Sequence, residues 1–327
     1  VARVVVTGGC GFIGSHLVEC LAARDEVTVY DLAGPPVDQR DRDAGVSYVR
    51  GDITDATKLR SVIRDGVDVV YHLGAIVGVD RYLTRPTDVI DVNVWGTRNV
   101  LEAALEARAK VVLASTSEVY GKNDRTPWAE DADRVLGSTA TDRWAYGTSK
   151  GLAEHLTFAF ARERGLRATV VRYFNVYGPR QRPAYVISRN LHRALRGLPL
   201  IVYDGGRQSR CFTFVSDAVQ GTLLAAASSR ADGECFNLGA REETSVASAV
   251  ELLGELTGMA QPPVPFDTAR RLGDRYADIP RRVPDTAKAE ALLGWRCGTT
   301  LRDGLARTIA WARANPWWLD LPADDRV

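Results

Sequence analysis

The chain has 327 residues, 45% of them hydrophobic, which is enough for one large core or two fused lobes. Its formal net charge of +1 gives no electrostatic case for nucleic acid or an anionic membrane, and no apolar run approaches the roughly 20 residues of a bilayer-spanning helix. The cysteines at 10, 20, 211, 235 and 297 are odd in number and lack CxxC spacing, which favours a reducing cytoplasm over a disulfide framework or a zinc site.

The run Arg3–Thr7 reads as a buried strand rather than a signal sequence. It passes into Thr7-Gly8-Gly9-Cys10-Gly11-Phe12-Ile13-Gly14, and a helix is predicted over Ile13–Ala23. Gly8, Gly11 and Gly14 thus follow a strand and open a helix. Glycines are needed there because β-carbons would keep the backbone from a pyrophosphate, which the helix N-terminus attracts. Asp31 ends a second strand, Glu26–Asp31, where a carboxylate can bond the adenosine ribose and repel a 2′-phosphate. NAD is expected rather than NADP. Asp52 and Ile53, just past a third strand at Val46–Arg50, are placed to meet the adenine.

Further strands are predicted at Val67–Leu73, Lys110–Ser115 and Arg167–Tyr173, with helices at Ala56–Arg64, Val89–Ala107 and Trp144–Arg164. Strands alternating with helices predict an α/β fold, a Rossmann-type doubly wound parallel sheet. After Tyr173 the rhythm loosens at Pro179, Pro183, Pro199 and the run 261–265. Short strands at Leu200–Tyr203, Cys211–Val215 and Glu234–Leu238 sit among helices at Asp217–Ala227, Val246–Thr257, Thr286–Leu293 and Leu301–Ala314. Residues 1–175 are expected to form the NAD-binding domain. Residues 176–327 are expected to form a smaller, interleaved α/β substrate-binding lobe.

Chemistry concentrates in two runs, Ser115-Thr116-Ser117-Glu118-Val119-Tyr120-Gly121 and Tyr146-Gly147-Thr148-Ser149-Lys150. Tyr146 and Lys150 are four apart and share a helix face. A nearby ammonium is expected to lower the phenol's pKa toward the working range. Thr116 ends the fifth strand, at the carboxyl edge where open α/β sheets bind ligands. His16, His72, His155 and His192 form no metal-ligand pattern.

These residues, with Arg172-Tyr173-Phe174-Asn175-Val176-Tyr177-Gly178-Pro179 and Leu292-Leu293-Gly294-Trp295, resemble the extended short-chain dehydrogenase/reductase family. The likeness runs from residue 3 to about residue 312. It implies an enzyme acting on a nucleotide-linked sugar, as a 4-epimerase, a 4,6-dehydratase or a uronate decarboxylase. It places Phe12, Ile13, Leu73 and Tyr173 beside the cofactor, and Asn175, Arg180 and Tyr203 beside the substrate.

Thr116-Ser117-Glu118 resembles the UDP-glucuronate decarboxylases, where dehydratases carry an Asp at the position of Ser117. The resemblance implies that Thr116, Ser117, Glu118, Tyr146, Lys150 and Arg282 are catalytic. Tyr276 to Pro284 resembles the decarboxylase segment that brings a tyrosine, Tyr276, and an arginine, Arg282, to the sugar. Tyr82 matches a pocket tyrosine, and Arg210 a residue that clasps the diphosphate. The loop Tyr177–Pro183 is closer to that of 4-epimerases, including uronate epimerases. A UDP-uronate or UDP-hexose 4-epimerase is therefore the nearest rival, and a non-catalytic NAD-binding regulator the remote one.

The expected reaction converts UDP-glucuronate through a 4-ketone to UDP-4-keto-pentose, UDP-xylose or both. A homodimer is expected, because Val94, Leu101 and Leu105 on one helix and Leu152, Leu156, Phe158 and Phe160 on the other exceed what one sheet can cover, and the resemblance implies that such helices pair into a four-helix bundle.

Overall fold

A computed structural model describes residues 1–37, 45–268 and 278–323. The central strands are β1 (Arg3–Thr7), β2 (Glu26–Asp31), β3 (Ser47–Arg50), β4 (Val69–His72), β5 (Lys110–Thr116) and β6 (Ala168–Tyr173). A seventh, Cys235–Leu238, returns from the second half of the chain and pairs with β6. The parallel sheet runs Cys235–Leu238, β6, β5, β4, β1, β2, β3. Chain order reverses between β1 and β4, and ligands bind at such a switch point.

Side chains alternate across β1, so one strand feeds two cores. Val4 and Val6 pack with Leu17, Val18 and Leu21 of α1 (Phe12–Ala22). Val5 packs on the other face with Leu59 of α2 (Ala56–Val62), and with Val100, Leu101 and Phe160. Every residue of β6 is buried, as expected of a strand covered on both faces.

Two short helices follow β4, α3 (Val79–Thr84) and α4 (Pro86–Asp91). The predicted helix Val89–Ala107 therefore starts earlier, at Pro86. It also contains a π turn, Val92–Gly96, before α5 (Thr97–Glu106). The turn bears Asn93, whose side chain accepts from the Ile76 amide at 2.8 Å and donates to the Ile76 carbonyl at 3.2 Å and to Ser149 at 3.2 Å. It thereby fixes the loop after β4. The long helix α6 (Ala145–Arg164) closes on Gly165 at φ +72, a left-handed cap.

The outward face of these helices differs from expectation. Leu101 and Phe160 are core residues, Leu105 and Leu156 pack against the same core, and Val94 is buried. Of that expected set Leu152 is exposed, at 45%, and it is joined by Ile90 and Trp95 at 43% and 56%. The sheet face simply absorbs a wider stripe of each helix than the pattern suggested.

In the second half, the expected strand Cys211–Val215 shrinks to Thr213–Phe214, because Val215 already begins the helix Val215–Ala227. A helix at Val186–Leu195 was not anticipated. A small sheet joins Thr244–Ser245, Ser209–Arg210 and Arg281–Arg282, and sets Arg282 beside Arg210. Among the described residues no helix is long and apolar enough to cross a membrane.

Candidate active site

The site lies where β1, β2, β4, β5 and β6 end. Gly8 has φ +71, and a Cβ there would stand 2.6 Å from the Gly74 amide nitrogen. A Cβ on Gly14 would collide with the Gly8 carbonyl oxygen. Only glycine permits so tight a passage from β1 into α1. The helix starts at Gly11 without a side-chain cap, so its first amides face outward unpaired by a side chain, as a diphosphate requires. Asp31 is fixed at the end of β2. Its Oδ2 accepts from the Cys10 amide at 2.9 Å and its Oδ1 from the Ala33 amide at 3.0 Å. A carboxylate retains lone pairs for ribose hydroxyls after two such bonds. These residues fit a dinucleotide.

Other expected cofactor residues are placed as follows. Phe12 and Ile13 open α1, and the Leu73 amide donates to the Thr7 carbonyl at 3.0 Å. Ile53 is buried against Gly96. Asp52 uses Oδ1 on the Thr54 amide and hydroxyl, at 2.9 and 2.8 Å. Tyr173 shares its phenol hydrogen bond with Thr222 at 2.7 Å.

Thr116 ends β5 with its hydroxyl oxygen accepting from the Glu118 amide at 3.2 Å, capping a turn over Ser117–Tyr120. Ser117 is buried in that turn. The Thr116 hydroxyl also acts on the Tyr146 phenol, favouring its ionised form. Tyr146 and Lys150 are both buried on the first turns of α6. Burial holds the Lys150 ammonium down at about 8, with Glu154 pulling the other way. The expected lowering of the Tyr146 phenol by Lys150 is not what the geometry gives. Burial first, then the charge of Glu118, push the phenol upward, against the Thr116 hydrogen bond and Arg282.

A second cluster stands alongside. Glu118 Oε2 accepts from Arg143 Nη1 at 2.6 Å, and Oε1 from Arg282 Nη1 at 3.2 Å. Burial pushes the Glu118 carboxyl up, but the guanidiniums of Arg143 and Arg282 outweigh it and hold the group at about 2. Glu118 is therefore an ionised carboxylate at neutral pH. Arg282 is 8% exposed, and its Nε is buried with no hydrogen-bond partner among the described residues. Two cations and one anion leave the cluster with a net positive charge, which suits an acidic substrate.

A model of the NAD dependent epimerase/dehydratase family matches residues 4–239. The chain belongs to that family. The cofactor is NAD, in keeping with the glycine cradle and Asp31. Among curated relatives, the UDP-N-acetyl-alpha-D-glucosaminuronate decarboxylase of Bacillus cytotoxicus is 39% identical over 95% of this chain and 98% of its own. UDP-glucuronic acid decarboxylase 1 of Xenopus tropicalis is 32% identical over 99% of this chain and 77% of its own. The solved structure of MoeE5 in complex with UDP-glucuronic acid and NAD has a TM-score of 0.84 at 35% identity, covering 96% of this chain and 99% of that one.

Within this family fold, Tyr82 is buried on α3, its ring stacked on Tyr146 with centroids 6.4 Å apart. Asn175 has φ +42, and its Oδ1 is buried without a partner among the described residues. Tyr203 accepts from Arg189 at 2.7 Å and packs on Phe266. Two expected substrate ligands are engaged elsewhere. Arg180 donates to Glu19 of α1 at 3.0 Å, and Arg210 to Asp278 at 2.8 Å. Tyr276 lies outside the described residues. Among those residues no group of three or more His, Cys, Asp or Glu is placed to hold a metal ion.

Sequence reasoning missed Arg143 and the buried pair Arg172–Glu154, in which Arg172 Nε and Nη2 donate to the two carboxylate oxygens at 3.0 and 2.7 Å. The signal for the pair was a charge inside the apolar strand Ala168–Tyr173, which burial forces to find a partner. The signal for Arg143 was weaker, a basic residue three before Tyr146.

Proposed function

We propose that the protein is an NAD-dependent decarboxylase of UDP-glucuronic acid, working through a 4-keto sugar. The observation that carries this is the Arg143–Glu118–Arg282 cluster beside Thr116 and Tyr146. An epimerase needs the oxidation, a turn of the keto sugar and return of the hydride. A decarboxylase must also receive a carboxylate and protonate the carbon it leaves.

NAD, when bound, supplies the redox chemistry, taking the C4 hydrogen with its electron pair. Tyr146 takes the C4 hydroxyl proton, directly or through Thr116, in its phenolate form, which Thr116 and Arg282 favour against burial. The C5 carboxylate then lies β to a ketone, so the carbon–carbon bond breaks with its electrons entering an enolate. Thr116 and Tyr146 hold that enolate oxygen. Arg282 delivers the C5 proton, directly or through a water that its guanidinium orients. Ionised Glu118 repels the departing carboxylate or orients that water. Lys150 holds the nicotinamide ribose, and Ser117 shapes the turn between Thr116 and Glu118. Reduction of the ketone gives UDP-xylose; earlier release gives UDP-4-keto-pentose.

Residues 1–175 are assigned to the cofactor and 176–327 to the nucleotide sugar, with Asn175, Arg180, Tyr203, Arg210, Tyr276 and Tyr82 on the substrate side. Arg180 and Arg210 must then release Glu19 and Asp278 to reach it. The exposed Ile90, Trp95 and Leu152 support a homodimer through a four-helix bundle, and unbridged cysteines support a cytoplasmic setting. A monomer mass by light scattering at micromolar concentration would remove the dimer.

Mass spectrometry of products from UDP-glucuronic acid with NAD tests the reaction. Loss of CO2 is expected. The same assay with the 2-acetamido uronate weighs the substrate that the Bacillus relative's name indicates. The loop Tyr177–Pro183 favours a 4-epimerase as the second reading. Conversion of UDP-glucuronic acid to UDP-galacturonic acid at constant mass would establish that instead.

A further inference from the structure

Arg143 is 1% exposed and charged. It sits in the turn Asp142–Trp144 that runs into α6, three residues before Tyr146. Its guanidinium lies 5.3 Å from the ring centroids of both Tyr82 and Trp144. From that aromatic seat it reaches Glu118 at 2.6 Å, the shorter of the two ion pairs on that carboxylate.

The two arginines on Glu118 are not equivalent. The Arg143 side chain is 2% exposed and wedged by rings, whereas that of Arg282 is 10% exposed, at 3.2 Å, with Nε buried and unpartnered among the described residues. Arg282 thus has hydrogen-bonding capacity to turn toward a substrate carboxylate or its water. If it did so alone, Glu118 would be left as an uncompensated buried charge, which is strongly unfavourable.

We propose that Arg143 is a positioning residue: it is the standing partner of Glu118, fixing that carboxylate while Arg282 exchanges from Glu118 to the substrate. The proposal rests on the decarboxylase reading. It also explains why a ring pair, Tyr82 on Tyr146, is closed by a cation on the outer ring. The charged and titratable groups acting on or facing Glu118 are Arg143, Arg282 from the strand Arg281–Arg282, and the Tyr146 phenol from α6.

The full chain with NAD and UDP-glucuronic acid is the test. Arg143→Met should bind NAD normally, lose about 100-fold in kcat as a misplaced group does, and raise the acid-side midpoint of the kcat profile by about 1–3 pH units as Glu118 loses a neighbouring cation. Arg143→Lys keeps the charge but not the planar fork, so its midpoint should stay near that of the unaltered protein while kcat falls. In an Arg143→Met, Glu118→Gln double variant the losses should not add, since both act through one carboxylate. CO2 release from Arg143→Met at the unaltered rate and pH profile would overturn the inference alone. If Arg143→Met does not fold, an Arg143→Lys protein with undiminished kcat overturns it instead. No CO2 from the unaltered protein would overturn the decarboxylase reading beneath it.

Discussion

Two clusters meet at the carboxyl edge of the sheet, and they are built in different ways. Thr116, Tyr146 and Lys150 come from one strand end and one helix turn, and they handle protons. Arg143, Glu118 and Arg282 come from three separate segments, with Arg282 and Glu118 164 residues apart, and they are held by charge. In the proposed mechanism the first cluster, with NAD, serves the oxidation of the C4 alcohol, and the second serves what becomes of the ketone. On that reading local spacing encodes the step that family members share, and tertiary packing the step that separates them.

The largest effect should come from the first cluster. Tyr146→Phe keeps the ring stacked near Tyr82 but leaves no group to take the C4 proton. Loss of a positioned base costs about 100- to 10,000-fold, so neither CO2 nor reduced cofactor should form at a measurable rate. Stopped-flow absorbance at the reduced nicotinamide band checks this. More than a few per cent of the original rate would place the base elsewhere and erase the division between the clusters.

How much of this was legible in the sequence follows the same division. Gly8, Gly14 and Asp31 are readable because a glycine turn and a strand end are local chemistry, and the Tyr146–Lys150 spacing is readable because a helix repeats. The parallel, doubly wound sheet follows from alternating strands and helices. Arg180 and Arg210 read as ligands by resemblance, and their ion pairs escape the sequence because the carboxylate partners are remote, Glu19 at a separation of 161 residues and Asp278 at 68. Nothing in a linear pattern marks such a pair. Arg143 escaped for the same reason. Its partner lies 25 residues away, across the loop 121–141 that separates the turn Ser117–Tyr120 from Asp142–Trp144. The Tyr146 phenol was misjudged because helical spacing reports distance to Lys150 but not burial, which dominates.

Arg282→Ala breaks the comparison from the other side. The cofactor cradle is formed by β1, α1 and Asp31, so NAD binding should persist at its original affinity. Initial oxidation should survive in part, while CO2 release falls by about 100-fold, because the substrate carboxylate loses the guanidinium that places it for departure. Paired single-turnover measurements of reduced cofactor and labelled CO2 read the two steps separately. Equal loss of both would mean that Arg282 serves the oxidation, and that the clusters are one.

A change on the cofactor side should be smaller and confined to that side. Asp31→Ser removes the carboxylate that would face a 2′-phosphate. It should narrow the preference for NAD over NADP by about 10- to 100-fold, taking like-charge repulsion at short range as a few kcal/mol. The ratio of reduced cofactor to CO2 should not move. Unchanged cofactor preference by calorimetry would detach Asp31 from the ribose.

The smallest effect separates the clusters by pH. Glu118 is held at about 2 and keeps its charge through the neutral range. Lys150 is held at about 8 by burial, well below its ordinary 10.5. Activity that needs the ammonium should therefore be flat near neutrality and fall as pH rises through about 8. Stability should go the other way. A lysine with a folded pKa below its unfolded one binds fewer protons folded than unfolded between those values, so its contribution to stability improves as pH climbs from about 8 toward 10.5. Below 8 both states are protonated and the full cost of burying the ammonium is present. Lys150→Met supplies the reference, because it lacks the titrating group. The stability of the unaltered protein relative to Lys150→Met should rise over that window while its kcat/KM relative to that of Lys150→Met declines. Denaturant titrations at several pH values, beside a kcat/KM profile, measure both. A parallel fall in activity and relative stability would mean that the alkaline limb is loss of structure, not loss of the Lys150 charge.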